Sequence, residues 1–183
     1  IKKTGVFVNE YIEIVISLVE EYRLEAVQLH GDESVAYITD LKAKLAERRA
    51  MFVEENLHIK KKKHQHFIPE KAIEIIKVFG IKDEFNFDVL KPYLPVVDFF
   101  LFDTKGKERG GNGVQFDWTV LENYPYEKPF FLSGGIGLNH LEQLQTIAKS
   151  NLPIYALDVN SKFEIEPGLK NIEQIQSFKN KLF

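Results

Sequence analysis

Phe99-Phe100-Leu101-Phe102-Asp103-Thr104-Lys105 is an unbroken apolar run that ends abruptly in polar residues. A strand of this kind is buried on both faces, as in a parallel sheet covered by helices. A carboxylate at its end, Asp103, costs desolvation and must be hydrogen-bonded or raised in pKa. The pattern recurs outward in both directions. Strands are expected at Thr4–Val8, Glu25–Leu29 and Ala72–Phe79 upstream, at Val96–Phe102 itself, and at Pro129–Leu132 and Ile154–Leu157 downstream. Amphipathic stretches separate them: Tyr11–Tyr22, with Ile12, Val15, Ile16 and Val19 at helical spacing, and a segment from Asp32 to about Glu55. Glu84–Leu94 is weakly helical, and Phe116–Asn123, Asn139–Lys149 and Asn171–Leu182 follow.

Six strand–helix units in regular succession specify an α/β fold. Polar and glycine-rich motifs sit just after the strands: His30-Gly31, Asp103-Thr104-Lys105, Ser133-Gly134-Gly135 and Asp158 to Ser161. Such clustering on strand C-terminal ends is the pattern of a (β/α)₈ barrel's active face. A barrel needs eight strands, and six are present. An open six-stranded sheet is one solution. The expectation adopted is a TIM barrel of which residues 1–183 supply about six units as one partial domain, two units preceding residue 1.

The chain has 183 residues and a mass of 21.2 kDa, room for one domain with a sizeable core. Hydrophobic residues make up 44% and charged residues 28%, a globular balance. No apolar run nears the roughly 18 to 20 residues of a bilayer span. A net charge of −3 excludes a general attraction to nucleic acid or acidic lipid, so any anion must be held by local groups. Cysteine is absent, which excludes disulfides, cysteine-ligated zinc and a cysteine nucleophile among these residues. A reducing, cytoplasmic setting is the expectation. Lys60-Lys61-Lys62-Lys63, flanked by His58, His64 and His66, reads as a solvated loop rather than a nucleic-acid patch or metal site. Its lysines lack interleaved aromatics, and its histidines lack carboxylates at ligand spacing.

The strongest chemical signal is Leu132-Ser133-Gly134-Gly135-Ile136-Gly137. A strand ending in paired glycines before a helix exposes backbone N–H groups to an anion, and the helix dipole adds to the attraction. Asp158-Val159-Asn160-Ser161 repeats the arrangement after the next strand with side-chain donors. Either loop alone is equally an ordinary turn, but two in adjacent final units match the usual barrel phosphate site. Gly110-Gly111-Asn112-Gly113 suits close approach to a ligand and equally a mobile surface loop. It is neither a dinucleotide fingerprint nor a P-loop. Asp103 is either a loop cap or a general acid. His30, alone at a strand end, is of a kind more often structural than catalytic. Asp117 and Trp118 read as a helix cap and a packing residue.

Together these motifs resemble the phosphoribosylanthranilate isomerase family of tryptophan biosynthesis. The matching residues are Gly5-Val6-Phe7-Val8-Asn9, Val27-Gln28-Leu29-His30-Gly31-Asp32-Glu33 and Leu101-Phe102-Asp103-Thr104. Gly110 to Gly113 with Phe116-Asp117-Trp118, Ser133-Gly134-Gly135, and Asp158-Val159-Asn160-Ser161 with Glu164, Pro167 and Gly168 complete the series, in family order. The resemblance implies a (β/α)₈ barrel whose third to eighth units are present. It implies an Amadori rearrangement of N-(5′-phosphoribosyl)anthranilate to 1-(2-carboxyphenylamino)-1-deoxyribulose 5-phosphate, with no cofactor and no metal. A general acid protonates the furanose ring oxygen, and a general base removes the proton from the adjacent sugar carbon. By resemblance Asp103 is the general acid, and Gly134, Gly135, Asn160 and Ser161 grip the phosphate. His30 is placed to contact the anthranilate end, while Gly111, Gly113 and Glu164 shape the site. The implied partner is a phosphorylated small molecule, not nucleic acid or membrane.

The departures are specific. The family's base is a cysteine on its first strand, and an arginine after the second helps hold the substrate; neither unit is among these residues. Lys162 stands where the family commonly has glycine. Residues 45–70 read as an insertion before the third strand, about twenty residues beyond the usual crossover. The alternative to an isomerase is a non-catalytic barrel fragment that binds a phosphorylated ligand, or a partner through its open sheet edges.

Overall fold

The computed structural model describes residues 1–58, 71–82, 84–104 and 117–182, excluding the side chains of 52–58. The lysine run, the side chains of His58, His64 and His66, and Gly111 and Gly113 lie outside the described residues. The chain divides into two compact units, Ile1–Val78 with Leu90–Phe99, and Phe79–Val89 with Phe100–Phe183.

The first unit contains β1 (Thr4–Phe7), α1 (Ile12–Tyr22), β2 (Ala26–Leu29), α2 (Val35–His58) and most of β3 (Glu74–Ile81). β1 pairs parallel with β2, Gly5 opposite Val27, and β2 pairs parallel with β3, Val27 opposite Ile75. The apolar stripe of α1 buries Val15, Ile16 and Val19, as its spacing predicts. α1 stops at Arg23, whose left-handed backbone (φ 56°) turns the Leu24 N–H back onto the Val19 carbonyl at 3.0 Å. Helix α2 continues to His58, so the first part of the expected insertion, residues 45–58, extends a helix.

The second unit holds β4 (Phe99–Thr104) from Phe100 on, then the 3₁₀ turn η2 (Trp118–Asn123) and β5 (Phe130–Leu132). After these come η3 (Leu138–His140), α3 (Leu141–Ala148), β6 (Ile154–Leu157), η4 (Ser161–Phe163) and α4 (Ile172–Leu182). A short antiparallel ribbon of β7 (Glu164–Glu166) and β8 (Leu169–Lys170) bends at Gly168 (φ 85°); nothing in the sequence pattern announces it. β4 pairs parallel with β5, Phe102 opposite Leu132, and β5 pairs parallel with β6, so each unit carries a run of three parallel strands in chain order. The weakly helical Glu84–Leu94 becomes the 3₁₀ segment η1 (Phe87–Tyr93), which carries Pro92 inside it.

β4 starts three residues later than the apolar run suggests. Val96 and Val97 donate their N–H groups to the Tyr93 carbonyl (3.0 and 3.1 Å), closing a turn. Aromatic packing then fixes the strand. Phe102 is fully buried, with the rings of Phe130 at 4.9 Å, Tyr124 at 5.5 Å and Phe85 and Phe87 both at 6.3 Å. Such pairs contribute about 0.5–1.5 kcal/mol each beyond simple burial. Between β5 and β6 the register slips: Phe130 faces Ile154, but Phe131 faces Ala156. Tyr155 is the extra residue of this bulge, and its ring rests 5.2 Å from Phe131.

Candidate active site

In the second unit, three neighbouring parallel strands end in the expected polar groups. Asp103 and Thr104 close β4, Ser133-Gly134-Gly135 follow β5, and Asp158 to Ser161 follow β6. The ladder continues into these loops. Ser133 N–H donates to the Phe102 carbonyl (2.9 Å), and Asp158 N–H donates to the Leu132 carbonyl (2.8 Å). The Ser133 hydroxyl then donates to Asp158 Oδ2 at 3.0 Å, tying the two loops together. Asp103 is half-buried and accepts the Thr104 N–H at 2.8 Å, the hydrogen bond that a carboxylate at a buried strand end requires.

Both glycines of the β5 loop are left-handed, Gly134 at φ 97° and Gly135 at φ 68°. A Cβ on Gly134 would also run into Thr104 Oγ1 and come within 3.2 Å of the Thr104 nitrogen. Two independent constraints therefore demand glycine at 134. Further along, Gly137 N–H donates to His140 Nδ1 (3.0 Å), and the His140 ring meets buried Trp118 edge-on at 5.5 Å. Burial, reinforced by the charge of Lys162, holds the imidazole below its ordinary pKa. Trp118 and Asp117 play the structural parts assigned from sequence. Trp118 is buried, and Asp117 accepts the Thr119 N–H at 3.0 Å, which lowers its pKa.

The β6 loop is held from behind by Lys170, whose ammonium donates to Asn160 Oδ1 and Glu164 Oε1. That hydrogen bond lowers the Glu164 pKa. Asn160 and Ser161 are exposed, whereas Phe163 buries its ring against Phe178 at 5.0 Å and anchors the turn. Lys162 sits inside η4 without a left-handed backbone, so the turn has no need of glycine there. Asp103 at the end of β4, Gly134 and Gly135 after β5, and Asn160, Ser161 and Glu164 after β6 thus belong to one unit.

His30 belongs to the first unit, half-buried at the end of β2, with its N–H donating to the Phe7 carbonyl at 2.8 Å. Around it lies a cluster that sequence reasoning missed. Glu33 is 4% exposed and Lys77 3% exposed, and they form an ion pair at 3.2 Å. Glu33 Oε1 accepts N–H groups from Asn9 (2.8 Å) and Gly31 (3.1 Å), and Asn9 Oδ1 accepts from Asp32 N–H (2.6 Å). Lys77 also donates to the Gly31 carbonyl at 2.8 Å. The available signal was a lysine inside the apolar run Ile75-Ile76-Lys77-Val78, which demands a buried counter-charge.

Among the described residues no cluster of three His, Cys, Asp or Glu side chains can hold a metal ion. No helix there is long and apolar enough to cross a membrane.

Comparison with known proteins fits this geometry. The family model for N-(5′-phosphoribosyl)anthranilate isomerase matches residues 1–69 and 56–181. The isomerase of that name from Parabacteroides distasonis is 37% identical over 178 residues, covering 97% of this chain and 67% of the relative. The Thermus thermophilus phosphoribosyl anthranilate isomerase crystal structure superposes with a TM-score of 0.72 at 22% identity, covering 100% of this chain and 72% of that one. The Thermotoga maritima phosphoribosyl anthranilate isomerase is 29% identical with a TM-score of 0.63, over 100% and 73% of the two chains. With a family match across nearly its whole length, the six βα units described above are of the (β/α)₈ class, and the chain belongs to the phosphoribosylanthranilate isomerase family, enzymes of tryptophan biosynthesis.

Proposed function

We propose that these residues carry the ring-opening acid and the phosphate grip of the isomerisation of N-(5′-phosphoribosyl)anthranilate, an aldose–ketose rearrangement in a cytoplasmic setting. Asp103, protonated, gives its proton to the furanose ring oxygen as the C1–O bond breaks and the anilino nitrogen's lone pair forms the C=N bond. Thr104 N–H fixes the orientation of that carboxyl group. Loss of the proton on the adjacent carbon to a general base then yields the enolamine that relaxes to the ketose. The family's base is a cysteine, and no cysteine occurs among these 183 residues.

The phosphate is held by the N–H groups of the Gly134–Gly135 turn and by Asn160 and Ser161. His30 contacts the anthranilate end, and Glu164 and the Gly111–Gly113 loop shape the site. The observation that carries this reading is the end of three consecutive strands β4, β5 and β6 in a carboxylate, a left-handed glycine pair and an exposed Asn-Ser turn. In the intact protein, Asp103→Asn should lower turnover about 10²- to 10⁴-fold, the usual contribution of a general acid. Binding of inorganic phosphate should survive. Turnover within a few-fold of the parent removes Asp103 from the acid's role. Phosphate binding without turnover in the parent favours the non-catalytic alternative.

A further inference from the structure

The β5 and β6 loops meet at a contact that backbone N–H groups alone do not explain. Gly137 has no side chain, and the stem of Lys162 lies over it: a Cβ there would sit 3.4 Å from Lys162 Cβ and 3.6 Å from its Cγ. The side chain therefore leaves η4 toward the β5 loop rather than straight into solvent. Its charge is felt at His140, whose Nδ1 accepts the Gly137 N–H. Lys162 is exposed, and no carboxylate among the described residues forms a hydrogen bond or ion pair with it. The other lysine of this region, Lys170, is already engaged with Asn160 and Glu164. A lysine ammonium is a compact charge on a flexible four-carbon stem, able to turn its three donors to an oxyanion.

We infer that Lys162 is a further phosphate-binding residue, supplying a mobile cation to the grip formed by the Gly134–Gly135 turn and the Asn160–Ser161 loop. The inference rests on the reading of those two loops as the phosphate site. It changes the chemistry of that site. A grip made of N–H groups holds the oxyanion by fixed dipoles, whereas an ammonium adds a charge–charge attraction that favours the dianion and weakens with ionic strength.

The test is titration of the intact protein with inorganic phosphate at low and at physiological ionic strength. Lys162→Met keeps the stem over Gly137 and removes the charge; Lys162→Arg keeps the charge. At an exposed position the charge contributes on the order of a fivefold change in affinity. Lys162→Met should therefore bind phosphate about fivefold more weakly at low salt, and its affinity should fall less steeply with added salt, while Lys162→Arg stays near the parent. The His140 pKa, followed by NMR, should rise in Lys162→Met and not in Lys162→Arg, which checks that the variant is folded with the stem in place. Equal phosphate affinity in the parent and Lys162→Met overturns this inference and leaves the two-loop grip standing. An unmoved His140 places the ammonium elsewhere and also overturns it. Absence of phosphate binding in every form overturns the grip itself, and this inference with it.

Discussion

The strand ends of the two units are built from similar residues and put to opposite uses. In the first unit, Glu33 and Lys77 are buried together, and the carboxylate accepts the N–H groups of Asn9 and Gly31. Charges and loops there lock one another. In the second unit Asp103 is half-buried, and Asn160 and Ser161 are exposed beside a turn whose glycines leave the backbone uncovered. Its cations, Lys162 and Lys170, stand at the loop rather than inside the core. The difference is one of solvation. A polar group that is to hold a ligand must reach it without first breaking an internal pair, whereas a buried charge must be paired at all times.

The largest test of this contrast is Lys77→Met. It leaves Glu33 buried without its cation and should cost about 3–5 kcal/mol in chemical denaturation, the usual effect of breaking a buried pair. Adding Glu33→Gln should recover part of the loss, because the second charge is then removed as well. A single variant as stable as the parent would mean that the pair is solvated, and the contrast between the units would fail.

Gly134→Ala comes next. Its left-handed φ and the nearby Thr104 together should cost about 1–3 kcal/mol. Phosphate binding should also be lost as the turn shifts. Gly135→Ala, at φ 68°, should cost about 1–2 kcal/mol through backbone strain. A Gly134→Ala variant as stable as the parent would mean that neither the backbone nor Thr104 presses on the turn.

The smallest effects come from titration. The Glu164 pKa is lowered in the folded protein by the hydrogen bond from Lys170. Its contribution to stability is therefore complete above the ordinary carboxylate value of 4.5 and is lost as the pH falls through the lowered value. Lys170→Met should flatten the acid limb of a melting-temperature profile in that range. His140, also lowered, acts at higher pH. The folded state resists its protonation, so stability falls as the pH drops below 6.5 toward the lowered value. An unchanged acid limb in Lys170→Met would show that the β6 loop is held by other contacts.

What the sequence disclosed follows the range of each interaction. The six strands and the stripe of α1 were legible because burial imposes a local pattern, a run or a period, on adjacent residues. The glycine pair at 134 and 135 was legible as the loop after a strand, but its left-handed backbone was not. The start of β4 was not, because Val96 and Val97 are as apolar in a turn as in a ladder. The ribbon of β7 and β8 is too short for any period, and it leaves Ile165 and Leu169 exposed. The Glu33–Lys77 pair joins residues far apart in the chain, so only the oddity of a lysine within an apolar strand hinted at it. Of the candidate site, the residues at the strand ends were legible, but the holding of Asn160 and Glu164 by Lys170 was not.

The bulge at Tyr155 carries a consequence for how such a loop changes over generations. Two residues of β6 stand there opposite one of β5, so the bulge absorbs one residue and the pairing beyond it stays regular. The place of Asp158, beneath Leu132 and within reach of the Ser133 hydroxyl, is therefore set by the pairing beyond Tyr155 and not by the number of residues before it. Loss of the single codon for Tyr155 would leave Ala156 opposite Phe131 and the β6 loop aimed as before. At this point the strand can change in length over generations while the site that follows it keeps its aim.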